Sequence, residues 1–135
     1  MRILALDIGD VWTGSAISDE LGMLAAPHKT VETFLLDDFL KSTILQHDLK
    51  IIVVGYPGTL RGTESEQTKK VKKIKEALEQ KFSSIEWIFW DERLTSKQAE
   101  QLKKVRSHDK EGKRKLHSIA AAFILSGYLE SRTTG

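Results

Sequence analysis

Cysteine is absent from this chain of 135 residues, and proline occurs only twice. Without cysteine the protein has neither a disulfide framework nor a thiolate metal site. This composition fits a reducing compartment, and we expect a cytoplasmic location. No apolar stretch approaches the roughly 20 residues of a membrane span, so no membrane partner is expected. A strong excess of charge is also missing, because the net charge is +2, and this value alone identifies no partner.

What the chain does contain suits one hydrophobic core. Apolar residues make up 40% of the sequence and charged residues 30%, a balance that is typical of globular proteins. A chain of this length can bury a substantial core, and no change in composition marks a linker. We therefore expect a single domain spanning residues 1–135.

Five short segments have the composition of β-strands. The runs at residues 3–6 and 51–54 are continuously apolar, and the run at residues 85–90 is apolar except for Glu86. We expect all three strands to be covered on both faces. Residues 13–18 are typical of a strand that returns after a turn. Residues 24–31 indicate a third strand, which we expect at a sheet edge because it contains a proline. The chain is therefore expected to open with a β-meander.

Four segments have the spacing of apolar residues that is typical of amphipathic helices. The first covers residues 35–47 and the last covers residues 116–129. The polar, basic segment at residues 106–115 is expected to be a loop. Helices that alternate with strands after the meander predict an α/β fold with right-handed crossovers. Capping boxes that would start the two middle helices are Thr63 with Glu66 and Thr95 with Gln98.

Two of the predicted strands end in acidic residues. Asp7 follows the first apolar run, and Glu92 closely follows the run at residues 85–90. An unpaired carboxylate is costly to bury, so each acid is expected at the exposed carboxyl end of its strand, where open α/β sheets bind ligands. Asp7 and Glu92 can together hold divalent cations, since two-metal phosphodiester cleavage needs carboxylates from several segments. Alternatively, Asp7 caps a turn and Glu92 caps the following helix.

Histidine and basic residues supply the other candidates. His117 lies at the start of the last predicted helix. Three roles are open for it: a metal ligand, a proton-transfer group or a structural side chain. Arg61, Arg93 and Lys115 are candidates for contact with a nucleic-acid backbone, for which basic groups supply most of the non-specific affinity. The alternative for each of these three is an ordinary solvated surface charge.

Five parts of the chain carry motifs of a known family. They are Leu4-Ala5-Leu6-Asp7-Ile8-Gly9, Gly14-Ser15-Ala16-Ile17-Ser18-Asp19, Val54-Gly55-Tyr56-Pro57 with Gly62-Thr63-Glu64, Asp91-Glu92-Arg93-Leu94-Thr95, and Ala120-Ala121 with Ile124-Leu125 and Tyr128-Leu129. Taken together, they resemble the YqgF family, whose members are RuvC-like proteins of the RNase H superfamily. They occur in the family's order and spacing across nearly the whole chain, and the stretch at residues 91–95 is the most specific.

The resemblance implies an RNase H-like fold, in which a mixed five-stranded sheet carries helices on both faces. It implies Mg²⁺- or Mn²⁺-dependent hydrolysis of structured nucleic acid, with Asp7 and Glu92 as catalytic, metal-binding carboxylates. The family's third acid has its place at His117 in this chain, and histidine is a poorer Mg²⁺ ligand than a carboxylate. We therefore expect His117 to be a third ligand or a proton shuttle.

Two further positions depart from the family's pattern. Trp12 stands where the family usually has an arginine after its first glycine. Arg61 adds a basic group to the loop after Pro57. One basic group is thus lost near the acids and another is gained elsewhere. Trp12 either stacks on a base or packs against the protein.

The resemblance favours a nuclease that acts on the 5′ end of pre-16S rRNA in ribosome biogenesis, on Holliday-junction-like DNA, or on both, as a monomer or a homodimer. The alternative is a nucleic-acid-binding module of the same fold with weak or no catalysis, and His117 is the feature that favours it. An actin-like ATPase shares the opening β-meander, but the chain is too short for the two domains that such an enzyme needs.

Overall fold

The structure, a computed structural model, describes residues 1–57, 65–92, 96–105 and 110–134. A β-meander comes first in these ranges, and helices and strands alternate after it. The elements are β1 (Ile3–Ile8), β2 (Trp12–Ser18), β3 (Ala25–Glu32), a 3₁₀ turn (Thr33–Leu35), α1 (Leu36–His47), β4 (Ile51–Pro57), α2 (Glu66–Lys81), β5 (Glu86–Glu92), α3 (Ser96–Val105) and α4 (Lys110–Thr134).

The five strands of the described ranges form one mixed sheet in the order β3-β2-β1-β4-β5. β2 pairs antiparallel with both β1 and β3, which gives the expected meander. β4 pairs in parallel with both β1 and β5, so each of these connections crosses over through a helix. The predicted α/β fold with a mixed five-stranded sheet is confirmed, and β3 lies at an edge, where a proline is tolerated.

Side chains that alternate along β1 fill two cores, one on each face of the sheet. Leu4 and Leu6 are buried against residues of α1 and α2. Ile3 and Ala5 point the other way and are buried against α4. This arrangement explains the continuously apolar run, because both faces of the central strand are covered. Asp7 has the parity of Ile3 and Ala5, so β1 directs it to the face that α4 covers.

β5 lies at the other edge of the sheet, and the expectation that it is buried on both faces was wrong. Its side chains from Trp87 to Trp90 are only half-buried. Trp87 and Phe89 pack against the core on the α1 and α2 face, whereas Ile88 and Trp90 pack against the core on the α4 face. An edge strand therefore has an apolar run from Trp87 to Trp90 because both cores extend to it.

α2 begins at a different cap from the predicted one. Its N-cap is Ser65, whose hydroxyl accepts a hydrogen bond from the Thr68 amide at 3.1 Å. The helix therefore starts too late for Thr63 to cap it, and Thr63 itself lies outside the described residues, as does Thr95. A serine cap followed by an amide three positions later satisfies one of the free donors at a helix start.

α4 is longer than predicted, because it begins at Lys110. Residues 110–115 are therefore helical, and the expectation of a loop there was wrong. None of the described helices is long and apolar enough to cross a membrane.

Candidate active site

Asp7 lies at the carboxyl edge of the sheet, one residue before the end of β1. Its neighbours Leu6 and Ile8 are buried on the face of α1 and α2, whereas the Asp7 side chain, on the face of α4, is 32% exposed. Across the antiparallel pair, Asp7 is opposite Gly14, so no side chain of β2 covers the carboxylate from that position. Asp7 is therefore an accessible carboxylate at the end of a buried strand.

α4 brings His117 to this carboxylate. Its Nδ1 lies 3.2 Å from Oδ2 of Asp7, and its side chain is 28% exposed. An ionised carboxylate can only accept hydrogen bonds, so the neutral imidazole that bonds to it is the tautomer in which Nδ1 carries the hydrogen and donates a hydrogen bond to Asp7. Nε2 then keeps its lone pair, which can bind a metal or take up a proton.

The start of α4 lies directly on β2 and β3, and this contact sets the position of His117. A β-carbon on Gly14 would lie 2.1 Å from both the carbonyl carbon and the carbonyl oxygen of His117, so only a glycine allows the helix so close. Thr30 of β3 donates its hydroxyl to the carbonyl oxygen of Arg114 at 2.7 Å. The backbone of α4 is thus fixed at both ends of the turn that carries His117.

The turn between β1 and β2 closes the site on another side. The Gly9 amide donates to the Trp12 carbonyl at 2.9 Å, and the Thr33 hydroxyl donates to the Gly9 carbonyl at 2.7 Å. A β-carbon on Gly9 would lie 2.7 Å from the Trp12 oxygen and 3.4 Å from Cε1 of His117. The imidazole therefore packs on a compact turn, which limits where its ring can go.

A cleft of about 300 Å³ opens beside Asp7 and His117. It lies at the carboxyl ends of β1 and β4, between α2 on one face and α4 on the other. Gly55 of β4 makes room for Ile124 of α4, because a β-carbon on Gly55 would lie 2.3 Å from Cδ1 of Ile124. Gln67 of α2 donates to the Ile8 carbonyl at 3.4 Å and so links α2 to the end of β1.

The remaining predicted site residues are only partly placed. The backbone of Glu92 pairs with Pro57 at the carboxyl end of β4, and β4 separates it from β1. The two predicted acids therefore end strands on the same edge of the sheet that are not adjacent. Lys115 is exposed on α4, two positions before His117. Arg61 and Arg93 lie outside the described residues.

The donor chemistry of the Asp7–His117 pair fits a divalent cation. Among the described side chains, no group of three His, Cys, Asp or Glu residues is placed to hold a metal ion. Mg²⁺ and similar ions, however, are often held by one or two protein ligands together with water and substrate phosphates, and both side chains face an open cleft. One carboxylate and one imidazole suit Mn²⁺ better than Mg²⁺.

Three residues that shape this site were given no role from the sequence. The role of Gly14 could have been predicted, because a glycine inside a strand pattern often marks a close approach of another backbone. The roles of Gln67 and Arg114 could not, since each is one polar residue among several on its helix. Their importance depends on contacts with distant parts of the chain.

Comparison with known sequences identifies one family, described as RuvX, Holliday junction resolvase, which matches residues 1–131. The chain is 37% identical to a protein from Carboxydothermus hydrogenoformans, over 98% of this chain and 99% of the relative. It is 42% identical to a protein from a Sulfurihydrogenibium species, over 96% of this chain and 90% of the relative. Both relatives carry the name "Putative pre-16S rRNA nuclease".

Solved structures share the fold. The Thermus thermophilus RuvC in complex with Holliday junction substrate matches with a TM-score of 0.61 and 18% identity, over 98% of this chain and 96% of that chain. The fowlpox virus resolvase in complex with Holliday junction DNA matches with a TM-score of 0.55 and 13% identity, over 98% and 99% of the two chains. The RNase H-like fold that the sequence predicted is therefore confirmed.

Proposed function

Because the chain belongs to the RuvX family, we propose that it is a metal-dependent nuclease that hydrolyses phosphodiester bonds in structured nucleic acid. The observation that carries this proposal is the contact between Asp7 and His117 at the mouth of a cleft. A carboxylate at the end of a central strand, next to an imidazole on a facing helix, has the chemistry that a phosphodiesterase site needs. We propose that residues 1–135 act as one nuclease domain.

Asp7, Glu92 and His117 are the proposed catalytic and metal-binding residues. Asp7 and His117 are already in contact. Support for Glu92 comes from the backbone, since position 92 has the parity of Ile88 and Trp90, both of which pack on the face of α4. The same face of the sheet carries Asp7.

The proposed metal is Mg²⁺ or Mn²⁺, and the imidazole favours Mn²⁺. A bound divalent cation would stabilise the negative charge that develops on the phosphate. Asp7 orients the imidazole through Nδ1, so that the lone pair on Nε2 of His117 is available to a ligand or to a proton. Lys115, Arg61 and Arg93 are proposed to hold the nucleic-acid backbone by charge.

The proposed substrate is the precursor of 16S rRNA, because the relatives are named as nucleases of pre-16S rRNA. The family resemblance favours a cut at its 5′ end during ribosome biogenesis. Holliday-junction-like DNA is the second candidate, favoured by the description of the matching family. The two substrates make different demands on assembly. A two-fold symmetric junction is best served by a C₂ homodimer, whereas a single cut in RNA can be made by a monomer.

Cleavage assays test this proposal. The purified protein is incubated with a pre-16S rRNA fragment and with a four-way DNA junction, each with Mg²⁺, with Mn²⁺ or with a chelator. We expect metal-dependent cleavage of at least one substrate, and its loss in Asp7→Asn. Asp37→Asn is the matched control, because Asp37 lies on α1, on the opposite face of the sheet, and pairs with Lys81.

The outcomes separate the nuclease from a binding module. Cleavage by Asp7→Asn at the wild-type rate would show that the site is elsewhere. Binding of either substrate without cleavage in any metal would show a nucleic-acid-binding module of the same fold. Sedimentation of the protein on each substrate gives the oligomeric state that acts.

A further inference from the structure

The guanidinium of Arg114, on α4, lies over the ring of Trp12, at the start of β2. The guanidinium carbon of Arg114 lies 4.6 Å from the centre of the Trp12 ring, well within the range of a cation–π interaction. Arg114 is exposed and Trp12 is half-buried. Among the residues that the structure describes, no carboxylate pairs with this guanidinium.

Arg114 and Trp12 both lie close to the Asp7–His117 pair. Arg114 precedes His117 by three positions on α4, so the two side chains leave neighbouring points of one helix face. Trp12 ends the turn that begins at Gly9, and Cε1 of His117 lies against the same turn. The hydrogen bond from Thr30 to the Arg114 carbonyl fixes the backbone of the arginine.

We propose that Arg114, positioned by Trp12, binds a phosphate of the nucleic acid next to the bond that is cut. This inference rests on the proposed function. A guanidinium over an indole ring still has N–H donors at its edge, and these match the oxygens of a phosphate. Trp12 is the positioning residue, because contact with its ring limits where the guanidinium can lie.

Binding measured against salt concentration tests this role directly. Each phosphate contact that is lost lowers the slope of log K against log salt by roughly 0.7 to 0.9. We expect Arg114→Ala to lower this slope by about one contact, to weaken binding and raise KM by about tenfold, and to leave kcat within about twofold. Arg114→Lys should keep the slope and lose part of the affinity, since a lysine carries the charge without the planar fork.

Arg132 provides a matched control on the same helix. Its guanidinium also lies over an aromatic ring, 5.8 Å from the centre of Tyr128. It is eighteen residues further along α4, roughly 27 Å away along the helix axis. Arg132→Ala also removes a cation that lies over an aromatic ring, and we expect it to leave both the salt slope and KM unchanged.

A double variant that moves the cation from α4 to the turn separates the positioning role of Trp12 from a structural one. Trp12→Arg combined with Arg114→Ala places the cation on the turn, and we expect it to recover the salt slope that Arg114→Ala loses. Trp12→Ala leaves the cation but frees it, so it should raise KM by less than Arg114→Ala does. An unchanged slope and KM in Arg114→Ala, with wild-type binding intact, would overturn this inference alone. Absence of binding and cleavage by the wild-type protein would overturn the proposed function instead.

Discussion

The backbone of His117 crosses β2 directly over Gly14, with no space for a side chain between them. A β-carbon at Gly14 would lie 2.1 Å from the carbonyl carbon and oxygen of His117 and 2.5 Å from the Ser118 nitrogen. These neighbours are backbone atoms of a helix, so they cannot rotate out of the way. A glycine in β2 is therefore the condition under which His117 reaches Asp7.

Gly14→Ala should accordingly disturb both the fold and the site. We expect the free energy of unfolding to fall by about 3 kcal/mol, at the upper end of the usual cost of overpacking. Nuclease activity should fall by at least about tenfold, because a displacement of His117 by about 1 Å misplaces a proposed catalytic group. Urea unfolding and cleavage rates measure the two effects.

Thr30→Val is the companion variant for this contact. It removes only the hydrogen bond to the Arg114 carbonyl, which is worth about 1 kcal/mol. Its effect on stability should therefore be smaller than that of Gly14→Ala. Wild-type stability and activity in Gly14→Ala would show that α4 can shift away without consequence.

The identity of residue 117 should set the metal preference. His117→Asp replaces an imidazole nitrogen by carboxylate oxygens, which Mg²⁺ prefers. We expect the ratio of the cleavage rates with Mg²⁺ and Mn²⁺ to rise by about tenfold in favour of Mg²⁺, a size typical of changes around a metal site. Metal titrations of cleavage measure this ratio.

His117→Ala serves as the reference, since it removes the proposed ligand without replacing it. It should lower the rate with both metals. A ratio in His117→Asp equal to that of the wild-type protein would mean that residue 117 does not contact the metal.

Gly55 and Ile124 should be energetically coupled across the cleft. A β-carbon on Gly55 would lie 2.3 Å from Cδ1 and 2.6 Å from Cγ1 of Ile124, so Gly55→Ala should cost about 2 kcal/mol of stability. Ile124→Ala alone should cost about 3 kcal/mol by leaving a cavity. The double variant should cost at least about 1 kcal/mol less than the sum, because each change relieves the other.

Urea unfolding of the four proteins in this cycle measures the coupling. If the losses of stability in the two single variants add up to the loss in the double variant, the side chain of Ile124 turns away from a methyl group at Gly55 without a cost in stability.

The parts of this fold that could be predicted are those with a local cause. The apolar run before Asp7 identifies a central strand because both faces of β1 are covered, and the acid that follows can only lie at its open end. The prediction that Asp7 belongs to a site needs no knowledge of the rest of the chain. The prediction that Asp7 lies close to His117 depended on the family resemblance, since the two residues are 110 positions apart.

The start of α4 shows why other parts could not be predicted. Residues 110–115 are polar, basic and include a glycine, so no apolar spacing indicates a helix there. The helix is held instead by tertiary contacts, through Gly14 and through the hydrogen bond from Thr30. The contact between Arg114 and Trp12 depends on that same packing, and no local pattern in the sequence predicts it.

His28 should make the stability of the fold depend on pH. It lies half-buried on β3, where the centre of its ring is 6.1 Å from that of Phe39 and 5.6 Å from that of His47, with the two imidazoles nearly perpendicular. Burial lowers the pKa of His28 below its usual value of about 6.5, and the charges of His47 and Lys29 lower it further.

The sign follows from proton linkage. Since the pKa of His28 is lower in the folded protein, the unfolded chain binds more protons as the pH falls below about 6.5. Protonation of the unfolded chain therefore draws the equilibrium towards unfolding, and stability should decline from pH 7 until His28 is also protonated in the folded protein. Unfolding by urea at several pH values between about 7.5 and 5 measures this decline.

His28→Gln removes the titrating group, so the decline in stability over this range should become shallower than in the wild-type protein. His47→Gln is the matched variant, because it removes only a smaller cause of the lowered pKa and leaves the burial of His28 in place. It should retain most of the contribution from His28. Equal declines in the wild-type protein and His28→Gln would mean that His28 titrates alike in the folded and unfolded chains, and that its environment on β3 does not oppose its charge.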